Sequence, residues 1–327
     1  MYTTKYHNQD LSEFSFLVTG GGGFIGSNIV QYLINHNVKL VRVLDNFSNG
    51  YRENLKEFMG HPAFELIEGD IRDLDICKAA MKNMDYVLHQ AALGSVPRSI
   101  NDPLTTNNVN ITGFLNMMIA IKESSTVKRM VYAASSSTYG DSKALPKVED
   151  NIGKPLSPYA VTKYVNELYA DVFGKTYNTD VIGLRYFNVF GPKQSPKGAY
   201  AAVIPLFMQA LNDGESPTIN GDGEQTRDFT FVANAVQANI KACFANKDAA
   251  NQVFNVACGE RISVNQLWQS LKSAAASDME AAYGPPRQGD VRDSLADISK
   301  AERLLGYQPE YTVDQGLRLT WEMFISK

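Results

Sequence analysis

Tyr159 and Lys163 are the residues of this sequence best suited to proton transfer. Residues four apart on a helix share a face, so the phenol and the ammonium can point into one site. A tyrosine has an ordinary pKa of about 10, and a nearby cation lowers that pKa because it favours the phenolate. The pair therefore predicts a tyrosine that acts as a base near neutral pH.

Three glycines form a second candidate site. Gly20, Gly23 and Gly26 follow an apolar run directly and open a predicted helix. This spacing lets the backbone approach a pyrophosphate at the positive end of the helix. Asp45 ends the next predicted strand, where a carboxylate binds ribose hydroxyls and repels a 2′-phosphate. The pattern predicts binding of NAD rather than NADP.

Strands and helices must alternate to position these residues. Between residues 14 and 187, short apolar runs alternate with amphipathic stretches, as in a parallel sheet covered on both faces. The predicted strands are 16–18, 40–44, 64–67, 86–89, 130–133 and 181–185, and the predicted helices lie near 24–35, 73–83, 111–123 and 157–177. We predict an α/β fold, a Rossmann-like doubly wound parallel sheet with a smaller mixed α/β C-terminal domain.

The pattern changes after residue 187, where turn residues are followed by a predicted helix near 200–212. A helix near 235–246 and a strand at 253–256 fit a return to the first domain, and a final helix is predicted near 313–326. We predict a cofactor-binding domain of residues 1–187 with 234–257, and a substrate-binding domain of residues 188–233 and 258–327.

Composition excludes several functional classes. The 327 residues carry a net charge of −4 without a basic cluster, so no nucleic-acid partner is expected. Cys77, Cys243 and Cys258 are far apart and form no Cys-x-x-Cys pair, which fits a reducing cytoplasm and predicts no metal site. The polar N-terminus and the absence of a run of about 18 apolar residues predict a cytoplasmic protein without a membrane partner.

Together these motifs resemble the extended short-chain dehydrogenase/reductase family, in particular UDP-sugar 4-epimerases. The resemblance extends from about residue 14 to the C-terminus. It rests on Gly20, Gly23, Gly26, Asp45, Gly69, Asp70, Asn110, Gly113, Ser135, Tyr139, Tyr159, Lys163, Arg185, Asn188, Arg227, Asp228 and Phe229. Segments 92–99, 135–140 and 289–292 are similar to bacterial epimerases that prefer N-acetylated hexosamines.

The resemblance implies reversible C4 epimerisation through a transient 4-keto sugar, with NAD bound throughout. Tyr159 then takes the proton of the sugar 4-hydroxyl, while Lys163 holds the nicotinamide ribose and lowers the pKa of the phenol. Ser135 matches the catalytic hydroxyl of the family and Ser137 a second hydroxyl that bonds the sugar, and the run of three serines leaves this division open.

The same resemblance assigns the binding residues. Those expected to bind NAD are Gly20, Gly23, Phe24, Ile25, Gly26, Asp45, Asn46, Asp70, Ile71, Gln90, Ala91, Ala92, Asn110, Tyr159, Lys163 and Tyr186. Those expected to bind the UDP-sugar are Gly94, Ser95, Ser136, Ser137, Asn188, Ala202, Val203, Phe207, Ile219, Asn220, Arg227, Arg292 and Ser294. Arg227 and Arg292 should neutralise the diphosphate, since a guanidinium binds phosphate oxygens in a forked geometry.

The residues at the end of the fifth predicted strand distinguish epimerases from dehydratases and decarboxylases. Dehydratases that resemble this chain have an Asp-Glu pair there, because elimination of water needs an acid and a base, and decarboxylases usually have a Glu. This chain has no carboxylate from Ser135 until Asp141, which favours epimerisation. The resemblance implies that Ser294 matches a residue that controls the space beside C2 of the sugar, where a small side chain admits an acetamido group, and Gly94 leaves further space on the facing loop. We therefore predict UDP-N-acetylglucosamine and UDP-N-acetylgalactosamine as substrates, with UDP-glucose and UDP-galactose as a poorer pair.

Two alternatives remain open. The chain could epimerise UDP-hexuronic or UDP-N-acetylhexosaminuronic acids, or it could be a non-catalytic NAD-binding sensor, which the retained Tyr159 and Lys163 disfavour. Similar proteins often form homodimers through two helices of each first domain, which here would use stretches near 102–122 and 157–177. The family's acidic residue is missing from the stretch that ends at Asn234, so Asn234 is expected to cap the following helix.

Overall fold

The computed structural model of the protein describes residues 1–196, 202–285 and 292–326. Its strands are β1 Ser15–Thr19, β2 Leu40–Asp45, β3 Phe64–Glu68, β4 Tyr86–His89, β5 Arg129–Ser135, β6 Val181–Tyr186, β7 Val189–Phe190, β8 Thr218–Asn220, β9 Thr226–Arg227, β10 Thr230–Phe231, β11 Val253–Val256, β12 Ile262–Ser263 and β13 Ala282–Gly284. Its α-helices are α1 Phe24–Asn35, α2 Leu74–Met81, α3 Val96–Asn101, α4 Pro103–Asn107, α5 Gly113–Glu123, α6 Pro158–Tyr177, α7 Val203–Asp213, α8 Val232–Phe244, α9 Val264–Ala275, α10 Ser299–Leu305 and α11 Val313–Ile325.

Seven strands form one central parallel sheet in the order β11-β6-β5-β4-β1-β2-β3. The strand order reverses beside β1, which is the topological switch point of a doubly wound fold. The predicted Rossmann-like sheet is therefore confirmed. Strand β11 pairs with β6, so residues 253–256 belong to this sheet.

Two hydrophobic cores cover the two faces of the sheet. Within β1, Phe16 and Val18 belong to one core and Leu17 belongs to the other. Successive side chains of a strand point to opposite faces, so a strand buried on both faces has no polar alternation. This explains the continuous apolar runs in the sequence.

The remaining strands form three short pairs, β7 with β10, β8 with β13 and β9 with β12. Helix α9 packs against β12 and helix α11 against β10, and α7 packs against both of these helices. Among the residues that the structure describes, no helix is both long enough and apolar enough to cross a bilayer.

Several features differ from the sequence prediction. Helices α3, α4, α9 and α10 were not predicted, and a π-helical segment, Asn108–Thr112, separates α4 from α5. The expectation that Asn234 caps α8 is wrong, because Phe231 occupies the N-cap and no side chain caps the helix. The Asn234 side chain instead accepts from the backbone N–H groups of Glu310 and Tyr311.

Candidate active site

A cavity of about 500 Å³ lies at the carboxyl ends of the central strands, beside the switch point. The glycine-rich loop between β1 and α1 forms one wall, and the ends of β2, β4, β5 and β6 form the others. The predicted residues that line it are Gly20, Gly23, Phe24, Ile25, Gly26, Asp45, Asn46, Asp70, Ile71, Gln90, Ala91, Ala92, Gly94, Ser135, Ser136, Tyr159, Lys163, Tyr186 and Asn188.

The glycine-rich loop forms a groove whose tightly packed backbone leaves no room for side chains at Gly20 and Gly26. Gly20 has a φ of +69°, and a Cβ there would lie 2.7 Å from the backbone nitrogen of Ala91. A Cβ on Gly26 would lie 2.2 Å from the carbonyl oxygen of Gly20. Gly23 is the N-cap of α1 without a side-chain cap, so the positive end of the helix meets the cavity. This groove fits the pyrophosphate of a dinucleotide.

Asp45 connects the end of β2 to the glycine-rich loop. Its carboxylate accepts from the backbone N–H of Gly22 at 2.8 Å and of Phe47 at 2.7 Å. Burial raises the pKa of Asp45, while these two N–H groups lower it. Asn46 donates to Asp70 at 2.8 Å, and both residues line the cavity with Asp45. These polar groups are suited to the hydroxyls of a ribose.

Tyr159 and Lys163 lie near the start of α6, beside the end of β5. The Lys163 ammonium donates to the carbonyl oxygen of Ala133 at 2.7 Å. The Tyr159 phenol and Ser135 line the same cavity, and Ser135 lowers the pKa of this phenol. Ser137 donates to the Ser135 hydroxyl at 2.9 Å and lies outside the lining of the cavity. A phenol, an ammonium and the Ser135 hydroxyl therefore meet at one wall.

The pKa of Tyr159 differs from the sequence expectation. Burial raises it above its ordinary value, and the nearby Ser135 side chain lowers it by less. Burial also lowers the pKa of Lys163 to about 8, while Glu167 raises it. The Lys163 ammonium donates to Ala133, and among the described residues no cation lowers the pKa of Tyr159 and so stabilises its phenolate. That requires a further positive charge in the cavity.

A second cavity of about 260 Å³ meets the first at Asn188 and Val189, which line both. Asn188 donates to the carbonyl oxygen of Asp228 at 3.0 Å, which fixes its side chain at the junction. The other predicted residues that line this cavity are Ala202, Val203, Phe207, Ile219, Asn220 and Arg227. Apolar walls with one arginine suit a base and its phosphates.

Asn110 and Ser95 lie outside the lining of both cavities. Asn110 is buried, accepts from the backbone N–H of Leu93 at 2.8 Å and donates to Thr162 at 3.1 Å. It therefore supports Leu93, which lines the first cavity. Ser95 caps α3 by accepting from the backbone N–H of Arg98.

Arg292 and Ser294 also lie outside the lining of both cavities. The Arg292 side chain is 68% exposed and pairs with Asp222 at 3.3 Å. Ser294 is half-buried, and its backbone N–H donates to the carbonyl oxygen of Thr226 at 3.2 Å. Apart from Arg292, the 289–292 motif lies outside the described residues.

The second cavity contains residues that the sequence prediction missed. Gln194 lines it, and its buried Oε1 has no hydrogen-bond partner among the described residues. No motif pointed to Gln194, which follows a turn. Gln225 and Phe229 also line the cavity, and their positions beside Arg227 were the available signal.

The comparisons with known proteins agree with this geometry. The sequence pattern of the family described as GDP-mannose 4,6 dehydratase matches residues 17–320. A protein of Mycolicibacterium smegmatis named UDP-glucose 4-epimerase is 35% identical over 312 residues, which are 95% of this chain and 98% of that protein.

Two solved structures are similar over nearly the whole chain. One is a UDP-N-acetylglucosamine 4-epimerase from Methanobrevibacter ruminantium in complex with UDP-N-acetylmuramic acid, with a TM-score of 0.90 and 41% identity, covering 96% of this chain and 98% of that one. The other is a UDP-glucose 4-epimerase from Thermus thermophilus in complex with NAD, with a TM-score of 0.85 and 32% identity, covering 95% of this chain and 99% of that one.

Proposed function

Since the chain belongs to the extended short-chain dehydrogenase/reductase family, we propose that it interconverts UDP-N-acetylglucosamine and UDP-N-acetylgalactosamine by epimerisation at C4. At the level of the family, it is an NAD-dependent enzyme of the UDP-sugar 4-epimerase and dehydratase type. The observation that carries the proposal is Ser135, which stands at the end of β5 in place of a carboxylate and lines the same cavity as Tyr159.

The first cavity fits NAD. The glycine-rich loop and the start of α1 would hold the pyrophosphate, and Asp45 would bind a ribose. When bound, NAD supplies a hydride acceptor and donor together with the positive charge that a phenolate at Tyr159 requires. Lys163 would hold the second ribose from the opposite wall.

Side chains of the protein then carry out the proton transfer. Tyr159 removes the proton of the sugar 4-hydroxyl as C4 is oxidised, and returns it when the ketone is reduced on its opposite face. Ser135 donates to the sugar oxygen and keeps it beside the phenol. The sugar must rotate between the two steps, so UDP is held in the second cavity while the hexose is held loosely.

The reaction class is inferred from the positions of carboxylate side chains in the sequence after β5. Dehydration and decarboxylation both rely on carboxylates at the end of this strand, whereas Asp141 is the first carboxylate after Ser135 in the sequence. The Asp141 carboxylate accepts from the backbone N–H of Lys154 at 2.7 Å, so this side chain is already hydrogen-bonded to a loop residue. This arrangement favours epimerisation.

The preference for N-acetylated sugars is inferred from the space near C2. A Cβ added to Gly94 would meet no atom of the described residues within 4 Å, so these residues leave the cavity open on this side. Ser294 is small, and the Methanobrevibacter ruminantium relative is named a UDP-N-acetylglucosamine 4-epimerase. Other relatives are named UDP-glucose 4-epimerases, which favours UDP-glucose and UDP-galactose as substrates instead. Activity on both classes of sugar must therefore be measured.

We also propose that the protein forms a homodimer through α4 and α6. These helices lie side by side and leave large apolar side chains exposed. Leu104 on α4 is 70% exposed, and Leu168 on α6 is 49% exposed. Clustered exposed apolar side chains mark a protein interface, and a two-fold arrangement would bury both sets.

The test incubates the purified protein with UDP-N-acetylglucosamine deuterated at C4 and separates the products chromatographically. We expect UDP-N-acetylgalactosamine that retains the deuterium at C4. Parallel reactions with UDP-glucose and UDP-glucuronic acid should be slower. A faster reaction with the acid supports a uronic-acid epimerase, and no turnover of any sugar despite bound NAD supports a sensor. Either result refutes the proposal.

A further inference from the structure

Asp228 is a fully buried carboxylate that the proposed reaction does not use. It lies between β9 and β10, next to Arg227 in the second cavity. It accepts from the backbone N–H groups of Cys258 at 3.0 Å, Gly259 at 3.2 Å and Ala296 at 3.2 Å. One side chain therefore connects two distant chain segments to the Arg227 segment.

Residues 292–296, which we call the recognition strip, lie along the Arg227 segment. Thr226 donates its backbone N–H to the carbonyl oxygen of Arg292 at 2.9 Å and accepts from the backbone N–H of Ser294 at 3.2 Å. The Thr226 hydroxyl also donates to Asp293 at 2.6 Å. Asp228 holds the far end of the recognition strip through Ala296. The strip is therefore attached at both ends to residues 226–228.

A carboxylate is the group that this arrangement needs. Oδ1 accepts from Cys258, while Oδ2 accepts from Gly259 and Ala296. An amide has one acceptor oxygen, so an asparagine would place its NH₂ group against at least one N–H donor. Burial raises the pKa of Asp228 to about 7, although the three N–H groups lower it. The fold thus retains a carboxylate where burial disfavours one.

We infer that Asp228 is a positioning residue for UDP-sugar recognition, because it fixes the recognition strip, through Ala296, relative to Arg227, which lines the second cavity. This inference rests on the proposed function. Asp228 contacts the recognition strip through its backbone and does not need to contact the sugar. It acts on substrate affinity and on the choice of sugar rather than on the proton transfer at Tyr159.

The test is Asp228→Asn. Loss of about one hydrogen bond to a charged group should raise KM for UDP-N-acetylglucosamine about 10-fold and change kcat less than about twofold. The ratio of kcat/KM between N-acetylated and plain sugars should change, while bound NAD stays constant. Asp297→Asn is the matched control, because the exposed Asp297 side chain accepts from the backbone N–H of Ser299. Its KM should match that of the unmodified protein.

Two results would overturn the inference. One is an unchanged KM in Asp228→Asn. The other is an equal loss on all sugars together with loss of NAD, which indicates a general structural role. If Asp228→Asn does not fold, Thr226→Val removes the hydroxyl bond to Asp293 at the other end of the strip and should raise KM in the same direction. An unchanged KM in that folded variant refutes the inference.

UDP binding separates this inference from the proposed function. If the unmodified protein epimerises no sugar, the proposed function fails, yet calorimetry with UDP still tests the recognition strip. We expect Kd for UDP to rise about 10-fold in Asp228→Asn, because Arg292 moves away from Arg227. An unchanged Kd refutes the positioning role.

Discussion

The Arg185 guanidinium on β6 donates to both carboxylate oxygens of Glu167 on α6, at 2.9 Å and 2.7 Å. The two side chains are only 4% and 6% exposed. Glu167 lies one helical turn after Lys163 and raises the pKa of that lysine. The ion pair therefore connects α6 to the central sheet and places a carboxylate near the Lys163 ammonium.

Breaking this ion pair should destabilise the fold. Glu167→Gln leaves the Arg185 charge buried without its partner, so the free energy of unfolding should fall by about 3–5 kcal/mol in urea titrations. The pKa of Lys163 should fall below about 8, since Glu167 raises it. Asp171→Asn is the control, because Asp171 pairs with Lys175 at the surface of the same helix. Equal destabilisation by both variants contradicts this account.

Tyr159→Phe should abolish epimerisation without releasing NAD. The variant lacks the base, so kcat should fall by at least about 10²-fold, and the cavity walls that surround NAD remain. Turnover and the amount of NAD in the purified protein are measured together. Tyr169→Phe on the same helix is the control, since Tyr169 packs against Phe173. Retained turnover in Tyr159→Phe excludes the phenol as the base.

Ser294→Tyr should discriminate between sugars. A phenol ring in place of the hydroxymethyl group fills the space proposed for the acetamido group, so kcat/KM for UDP-N-acetylglucosamine should fall more than about 10-fold. The value for UDP-glucose should change less than about twofold. Ser299→Tyr, at the exposed start of α10, is the control. An equal loss for both sugars in Ser294→Tyr refutes a selective role.

The strands β1 to β6 were predictable because each contains a short, mainly apolar run. The start of α6 was also predictable from the sequence, because Ser157 caps the helix and Pro158 occupies its first position. Helix α9 carried a comparable signal in its capping box of Ser263 and Gln266. The alternation of strands and helices that predicted the first domain does not extend to this part of the chain, so α9 was not predicted.

Other features depend on tertiary contacts that the sequence does not reveal. The raised pKa of Tyr159 depends on its burial and on the direction of the Lys163 ammonium towards Ala133. The position of Ser294 beside Thr226 depends on a pairing between residues far apart in sequence. The sequence motif predicted a role for Ser294. It did not predict the position of the Ser294 side chain relative to the second cavity.

A charge on the exposed face of α6 should separate the proposed dimer. Leu168→Glu places a carboxylate among side chains that dimerisation would bury, so the mass measured by sedimentation should halve. Ile325→Glu is the control, because Ile325 is exposed at the end of α11, outside the proposed interface. A mass that is the same for Leu168→Glu and the unmodified protein contradicts the proposed interface.

The N-terminal segment connects the first helix to the end of the chain. Tyr2 donates to Asn28 on α1 at 2.8 Å, and Tyr6 donates to Glu310 at 2.7 Å. The ring of His7 lies 2.7 Å from the Tyr32 hydroxyl through Nδ1 and packs edge-on against His36. Two histidines therefore face each other where this segment crosses α1.

A fall in pH should reduce the stability that this segment gives to the folded protein. Burial lowers the pKa of His7 to about 4, with His36 and Lys5 lowering it further, whereas an unfolded histidine has a pKa of about 6.5. The folded state therefore binds fewer protons between these values, so the stability present above about pH 6.5 is lost as the pH falls towards 4. His7→Gln should show a smaller fall in Tm between pH 7.5 and pH 5 than the unmodified protein. His61→Gln, at an exposed position, should retain the full fall, and identical curves for all three proteins would exclude His7 as the source.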